Sequence, residues 1–357
     1  MKTHIKFIIK TFFKSLFFVI SILISLVFIL NLLTELDFFK ETEVGIYFLI
    51  FVSLLNSPSL LFEILPFIFL ITAQLFFIKM FNNNEINIFK YSGLKNSRIL
   101  YLLGLISFLT GIFLSTIFYN FSSNLKNLYL EIKTNYTSDG KYLAVITNNG
   151  LWIKDEVDKK TLIINAAKIE DNFLINAFIT QFDEDFLIIK NIASDKININ
   201  KKNWIIYNAR IIGDDKYETG QKIEFKTNFD LKRIQTLYSN LSSLDFYQLY
   251  KLRENYIRLN YSVTDINLQI LKIITYPVLL FLITIFSSII MLRFKEFEGN
   301  TFKITLGLFF SVIIYYLINF SYVLGSTEKL NVSISVVIPL LSLATINILM
   351  LYKIIEK

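Results

Sequence analysis

The chain has 357 residues, no cysteine, one histidine and a formal net charge of +7. Without thiols it has neither a disulfide framework nor a thiolate metal site, so a domain outside the membrane must stand on its own core. The positive charge does not call for nucleic acid. Much of it sits in lysines that flank apolar stretches, where membrane insertion accounts for it.

Lys2, Lys6, Lys10 and Lys14 precede an uncharged run, Ser15–Leu33. That run is too long for the apolar part of a signal peptide and no small-residue cleavage site follows, so it reads as a first transmembrane helix. Glu35, Asp37, Glu41 and Glu43 come next, against Lys40 alone. Val44–Leu55 is apolar but falls short of the roughly 20 residues a span requires, which predicts an interfacial or re-entrant segment. Leu60–Ile78, with Pro58 and Pro66 near its outer end, makes a second span, and Ile99–Phe118 a third.

The loop between these spans, residues 82–96, has a pattern of its own. Asn84 is placed to cap a short helix whose first turn carries Glu85, matching the positive helix end. Ile86, Phe89, Tyr91 and Leu94 give that helix an apolar side, and Gly93 supplies a stop. Two readings fit: a turn resting on the membrane surface, or a coupling helix that inserts into a partner ATPase.

Tyr142–Ile146, Leu151–Ile153, Thr161–Ile164, Leu174–Phe182, Phe186–Ile192, Trp204–Ile212 and Ile223–Phe225 read as short strands separated by turn residues. Strands at this spacing suggest a sandwich or a partly open jelly roll. Leu241–Leu252 switches to helical spacing. Ile273–Leu292, Phe302–Tyr322 and Val332–Tyr352 are three more candidate spans. Lys and Arg crowd the amino terminus, the 79–98 and 293–303 loops and the carboxyl tail, whereas the 34–43 and 323–331 loops hold only Lys40 and Lys329. This asymmetry predicts cytoplasmic termini and an insert outside the cytoplasm. The expected fold class is therefore an α-helical bundle of six transmembrane helices with an inserted all-β, jelly-roll-like periplasmic domain. Its expected divisions are 1–120, 121–265 and 266–357.

Several chemistries are missing. No G-x-x-x-x-G-K-[ST] loop is present to cradle nucleotide phosphates. No Asp, Glu, Lys or Arg sits in the middle of a predicted span, where ion-coupled transporters keep one; the energy source then belongs to another chain. A lipid enzyme would need carboxylates or histidine converging at the interface. A sensor or adaptor with a ligand-binding outer domain would need a cytoplasmic output module, and the inner loops are too short for one. Glu63, one turn into the second span, reads either as a carboxylate at headgroup level or as a lateral-opening or substrate contact. The sequence offers no catalytic residue, metal site or cofactor site.

Six spans, a long insert after the third and a short amphipathic loop after the second resemble the LptF/LptG permeases of lipopolysaccharide export. Local strings carry the likeness: Pro58 and Pro66, Asn84-Glu85 with Tyr91-Ser92-Gly93-Leu94, Asn149-Gly150-Leu151-Trp152-Ile153-Lys154-Asp155, Leu241-Ser242 before Tyr247–Leu252, and Gly299, Gly307, Tyr315 and Pro339. They are most similar to the LptG branch. The resemblance implies a heterodimer with a homologous LptF-like permease, driven by two copies of a cytoplasmic LptB-like ATPase. Lipopolysaccharide would enter past helices 1 and 5 and pass to a periplasmic LptC/LptA-like bridge. It implies ATPase coupling by Glu85, Phe89, Tyr91 and Gly93. Where the family places basic residues near the outer end of helix 1, this chain has Asn31, Thr34, Glu35 and Asp37. Candidate substrate contacts are therefore Asn31, Glu63, Lys126 and Lys133, the two lysines reading equally as solvated side chains. An ABC permease of the mechanotransmission kind, which moves nothing through the membrane, is the alternative within the same broad class.

Overall fold

The computed structural model describes residues 3–40, 42, 44–134, 136, 143–147, 150–158, 160–170, 172–213, 216–231, 240–258, 262–293 and 300–355. The chain divides into two compact units, 1–129 with 267–357, and 130–266.

The first unit is helical. Its elements are α1 (Thr3–Phe38), α2 (Ile46–Asn82), the short α3 (Glu85–Tyr91), and α4 (Asn96–Phe113), which passes through a π turn (Leu114–Phe118) into α5 (Tyr119–Thr134). Among the described residues, six helical stretches are long and apolar enough to cross a membrane: Thr3–Phe38, Ile46–Asn82, Asn96–Lys133, Thr264–Arg293, Gly307–Ser326 and Val332–Tyr352. The expectation that Val44–Leu55 forms a separate interfacial or re-entrant piece is corrected. Ile46 begins a helix of 37 residues that runs without a break through both Pro58 and Pro66. At 1.5 Å per residue it is about 55 Å long, so the extra turns lengthen one crossing and do not add a second.

Proline survives inside α2 because its neighbours repair the backbone. A proline has no N–H for the carbonyl four residues back. The orphan behind Pro66 is the Phe62 carbonyl, and it accepts a hydrogen bond from the Tyr276 hydroxyl at 2.7 Å. Tyr276 lies on α7, which follows the short α6 (Phe246–Arg258) and spans Thr264–Arg293. The last two helices, α8 (Asn300–Ser326) and α9 (Val332–Ile355), repeat the device: Ser321 Oγ donates to the Ser335 carbonyl orphaned by Pro339, at 2.6 Å. With no water in the hydrocarbon, such repairs are what make a mid-helix proline tolerable.

The helical core centres on Phe12, Phe69, Phe76, Phe77, Met80 and Ile86, all buried. A second cluster joins α7 to α8 and α9 around Ile283, Phe286, Ile290 and Ile314. Small residues allow close approach: a Cβ on Gly104 would meet the Phe281 ring, and one on Gly307 would strike the Gln74 amide.

The second unit is built on one seven-stranded antiparallel sheet. Its strands are β1 (Leu143–Thr147), β2 (Gly150–Val157), β3 (Lys160–Glu170), β4 (Phe173–Phe182), β5 (Ile188–Asn198), β6 (Asn203–Gly213) and β7 (Lys216–Lys226), in the order β1-β2-β3-β4-β5-β6-β7. This sheet is the all-β insert expected from the sequence, with its strands connected as a meander. Its facing layers arise from a fold across the strands. Ala167, Asn176, Asp195, Asn208 and Gln221 lie opposite one another on β3 to β7, and the ladder is interrupted there. Asn176 and Asn208 both take φ of 49°, the left-handed region that asparagine tolerates best among residues with a Cβ. Buried positions alternate by two along β3 to β6 but jump by three at this line: Ala166 to Ile169, Leu174 to Ala177, Ser194 to Ile197, Ile206 to Ala209. The jump keeps both halves of β3 to β6 facing one interior, which Leu151, Ile164, Ile179, Trp204 and Ile206 fill without exposure.

A strap after β7 closes the fold. The buried Asp155 carboxylate of β2 accepts from Thr227 Oγ1 (2.6 Å), the Asn228 N–H (2.8 Å) and Asn228 Nδ2 (3.0 Å). Trp204 Nε1 donates to the Phe229 carbonyl at 2.8 Å.

Two local expectations are also revised. Phe186 and Leu187 belong to the β4–β5 turn and not to the strand, because Asp183 Oδ1 takes the N–H groups of Asp185 and Leu187 while Phe186 turns to φ of 59°. The helix expected from Leu241 begins in earnest only at Phe246. Asp245 and Gln248 exchange side chain-to-backbone bonds at 2.8 and 3.0 Å, a capping box that fixes the start of α6.

Candidate functional site: the α3 turn and the far ends of the helices

The loop at 82–96 folds into the helix its sequence announces, with different caps. Asn84 occupies the N-cap position at φ of 55°, and its side chain caps nothing; Asn83 Nδ2 instead reaches Glu85 Oε1 at 3.1 Å. At the other end Gly93 has φ of 78°, its N–H bonds the Lys90 carbonyl, and the Leu94 N–H bonds the Phe89 carbonyl. This is a Schellman motif, in which glycine is the residue that reaches the left-handed region without strain.

The motif decides which side chains face outward. Ile86 and Leu94 are buried in the helical core. Phe89 is half-buried, edge-on to Phe7 of α1 with ring centroids 6.0 Å apart. Tyr91 and Ile88 point away, 91% and 57% exposed. Of the four predicted coupling residues, then, Tyr91 is fully presented, Glu85 and Gly93 shape the two ends, and Phe89 anchors the turn to α1. Ile88 was not singled out by sequence; its signal was its place on the side opposite Ile86 and Phe89.

At the opposite ends of these helices Asn31, Glu63 and Lys126 are held in interhelical contacts. Asn31 is buried: its Nδ2 donates to the Ser53 carbonyl at 2.9 Å and its Oδ1 accepts from Asn56 Nδ2 at 3.0 Å. The amide thus clasps α1 to α2. Lys126 is also nearly buried, with Nζ 4.0 Å from Glu63 Oε1, while the Glu63 side chain is 56% exposed. Lys133, one further turn pair along α5, is half-buried. Expectation had Lys126 solvated or facing substrate; the π turn sets the face of α5 that follows it, and Lys126 meets α2.

The sequence missed Glu35 and Tyr129. Glu35 is fully buried and accepts from the Tyr129 hydroxyl at 2.8 Å, joining α1 to α5. It looked like one member of an acidic stretch, and only its four-residue spacing from the buried Val27 and Asn31 on the same helix face hinted otherwise.

Cover is unequal among the spans. The spans in α7 and α2 are 78% and 61% buried, whereas those of α1, α8 and α9 are 22%, 24% and 28% buried. Among the described residues no group of three His, Asp or Glu could hold a metal ion.

Six apolar spans with a folded β sheet inserted between the third and fourth define a multi-pass membrane protein carrying one extramembrane β domain. The family model of the lipopolysaccharide export system permease LptF/LptG matches residues 6–353, nearly the full length, and the chain belongs to that family. It is thus a multi-pass inner-membrane protein of a transport permease family, not of an enzyme family. No curated protein matches the sequence.

Proposed function

We propose that this chain is a permease subunit, of the LptG branch, in an ABC-type lipopolysaccharide exporter. It takes the glycolipid from the inner membrane and passes it to a periplasmic β bridge of the LptC/LptA kind. Its partners are a homologous LptF-like permease and a dimer of LptB-like ATPases, which supply the hydrolysis this chain lacks. Both termini lie in the cytoplasm and residues 121–265 in the periplasm. The family match over residues 6–353 carries this reading.

The geometry supports it in three ways. The α3 turn is a preformed helix locked by a Schellman motif and presenting Ile88 and Tyr91, which suits insertion into a groove on an ATPase. The least covered spans include α1 and α8, the two helices assigned to lateral entry, so their apolar faces are available to lipid or to a second permease. The folded sheet turns one apolar face inward, and acyl chains need such a surface, because each exposed CH₂ costs about 0.8 kcal/mol. Among the substrate-contact candidates, Glu63 and Lys133 reach the surface; Asn31 and Lys126 act through the helix positions they fix.

Photo-crosslinkers at Leu33 of α1 and Phe320 of α8, both exposed, test the reading. A glycolipid adduct at both sites is expected. Robust ATPase recruitment without any lipid adduct would replace this reading with the mechanotransmission kind.

A further inference from the structure

Three neighbouring helices lose their regular hydrogen bonding at one level of the bundle. α2 does so at Pro66, α7 at Pro277, and the α4–α5 helix at its π turn, Leu114–Phe118. Tyr276 meets Phe62 and Ser287 meets Leu70, so α7 runs parallel to α2, and α4 starts on the side where α2 ends. Counted from Asn82, Arg293 and Asn96 at 1.5 Å per residue, the breaks lie at about 24, about 24 and about 27–33 Å.

The breaks also touch. Tyr276 stacks on Phe62 with centroids 4.6 Å apart and planes at 15°, while its hydroxyl closes the carbonyl that Pro66 leaves open. Phe62 in turn meets Tyr119 at 5.2 Å and Phe118 at 6.4 Å, both at the π turn. Gly111 lies against Pro277 so closely that a Cβ would come within 2.7 Å of the proline Cα. On one side of this level lies the dense block of Phe69, Phe76, Phe77 and Met80 that also holds Ile86 of α3. On the other, polar contacts tie the helix ends together: Asn31 to Ser53, Glu35 to Tyr129, Glu63 to Lys126. One proline in a span is common; three breaks that share a level and an aromatic cluster, one of them a π turn, concentrate bending at one place.

We infer that this level is a hinge. The far ends of α2, α5 and α7 swing as one block against the block that carries α3, and the Tyr276 hydroxyl is the pin that limits the swing. Only what the swing accomplishes rests on the permease reading. The absence of cysteine makes the test clean: spin labels at Tyr47→Cys and Tyr101→Cys, exposed positions on opposite sides of the level, report the distance distribution of the full chain in lipid nanodiscs. The double variant Pro66→Ala/Pro277→Ala should narrow the distribution, and Tyr276→Phe should broaden it. Equal distributions in all three proteins overturn the hinge, as does narrowing in Tyr276→Phe. If the double variant fails to fold, Tyr276→Phe decides alone. In the assembled exporter the double variant should keep ATP hydrolysis and lose lipid extraction roughly tenfold or more. Full extraction overturns the hinge, whereas a wild-type chain that recruits no ATPase overturns the permease reading and leaves the nanodisc result standing.

Discussion

Asp155 shows how much a single buried side chain organises. It is the carboxylate at which β2 and the strap after β7 meet, and three donors from Thr227 and Asn228 converge on it. Replacing it with alanine takes the acceptor away from the buried Thr227 hydroxyl and from the Asn228 N–H, at a cost of about 3 kcal/mol to the β unit. Thermal unfolding of Asp155→Ala, followed by β-sheet circular dichroism, should show a lowered midpoint, with Asp155→Asn intermediate. The polar groups inside the helical unit act on a smaller scale. Ser321→Ala strands the Ser335 carbonyl that Pro339 already deprives of its backbone donor, and interhelical hydrogen bonds in membranes average about 0.6 kcal/mol. Its expected effect is therefore a small loss of stability, measurable as a shift in detergent or steric-trap unfolding, and a loss above about 2 kcal/mol would contradict it.

The α3 turn is the element on which the functional reading bears most directly. Its two faces have different duties, so its variants should separate. Ile88→Asp and Tyr91→Ala change only exposed side chains, and each should reduce co-purification of the ATPase while leaving chain yield and folding unchanged. Phe89→Asp removes the edge-on contact with Phe7 and should lower stability as well as recruitment. Gly93→Ala places a Cβ at φ of 78° and should destabilise the turn by about 1 kcal/mol. A Tyr91→Ala chain that recruits the ATPase as well as wild type would remove the outward face from the coupling role.

For the whole molecule the decisive property is which side of the membrane each unit occupies. Phe186→Cys and Tyr91→Cys lie in the β unit and in α3, and both parent residues are exposed. A membrane-impermeant maleimide applied to intact spheroplasts should label the first and spare the second, with the pattern completed on lysis. Labelling of Tyr91→Cys alone would invert the orientation and end the export reading.

The six spans, the β insert and the α3 turn were legible in the sequence because they rest on patterns local in the chain: apolar length, flanking lysines, and the Asn84–Gly93 frame. Legibility failed where a partner distant in sequence decides the outcome. Val44–Leu55 looked too short to span because its apolar run stops at Asn56, and nothing local says that the helix continues through Pro58 into the next apolar run. Asn31, Glu35 and Lys126 looked like surface groups because burial of a polar side chain depends on which neighbour it meets. The strands of the sheet looked short for a related reason. A fold across β3 to β7 shifts the two-residue alternation at the same level in each strand, so β3, β5 and β7 showed only part of their length. Periodicity reports the surface a segment buries; the packing that supplies its hydrogen-bond partners, and with them the bends and clasps of this protein, exists only once the chain has folded.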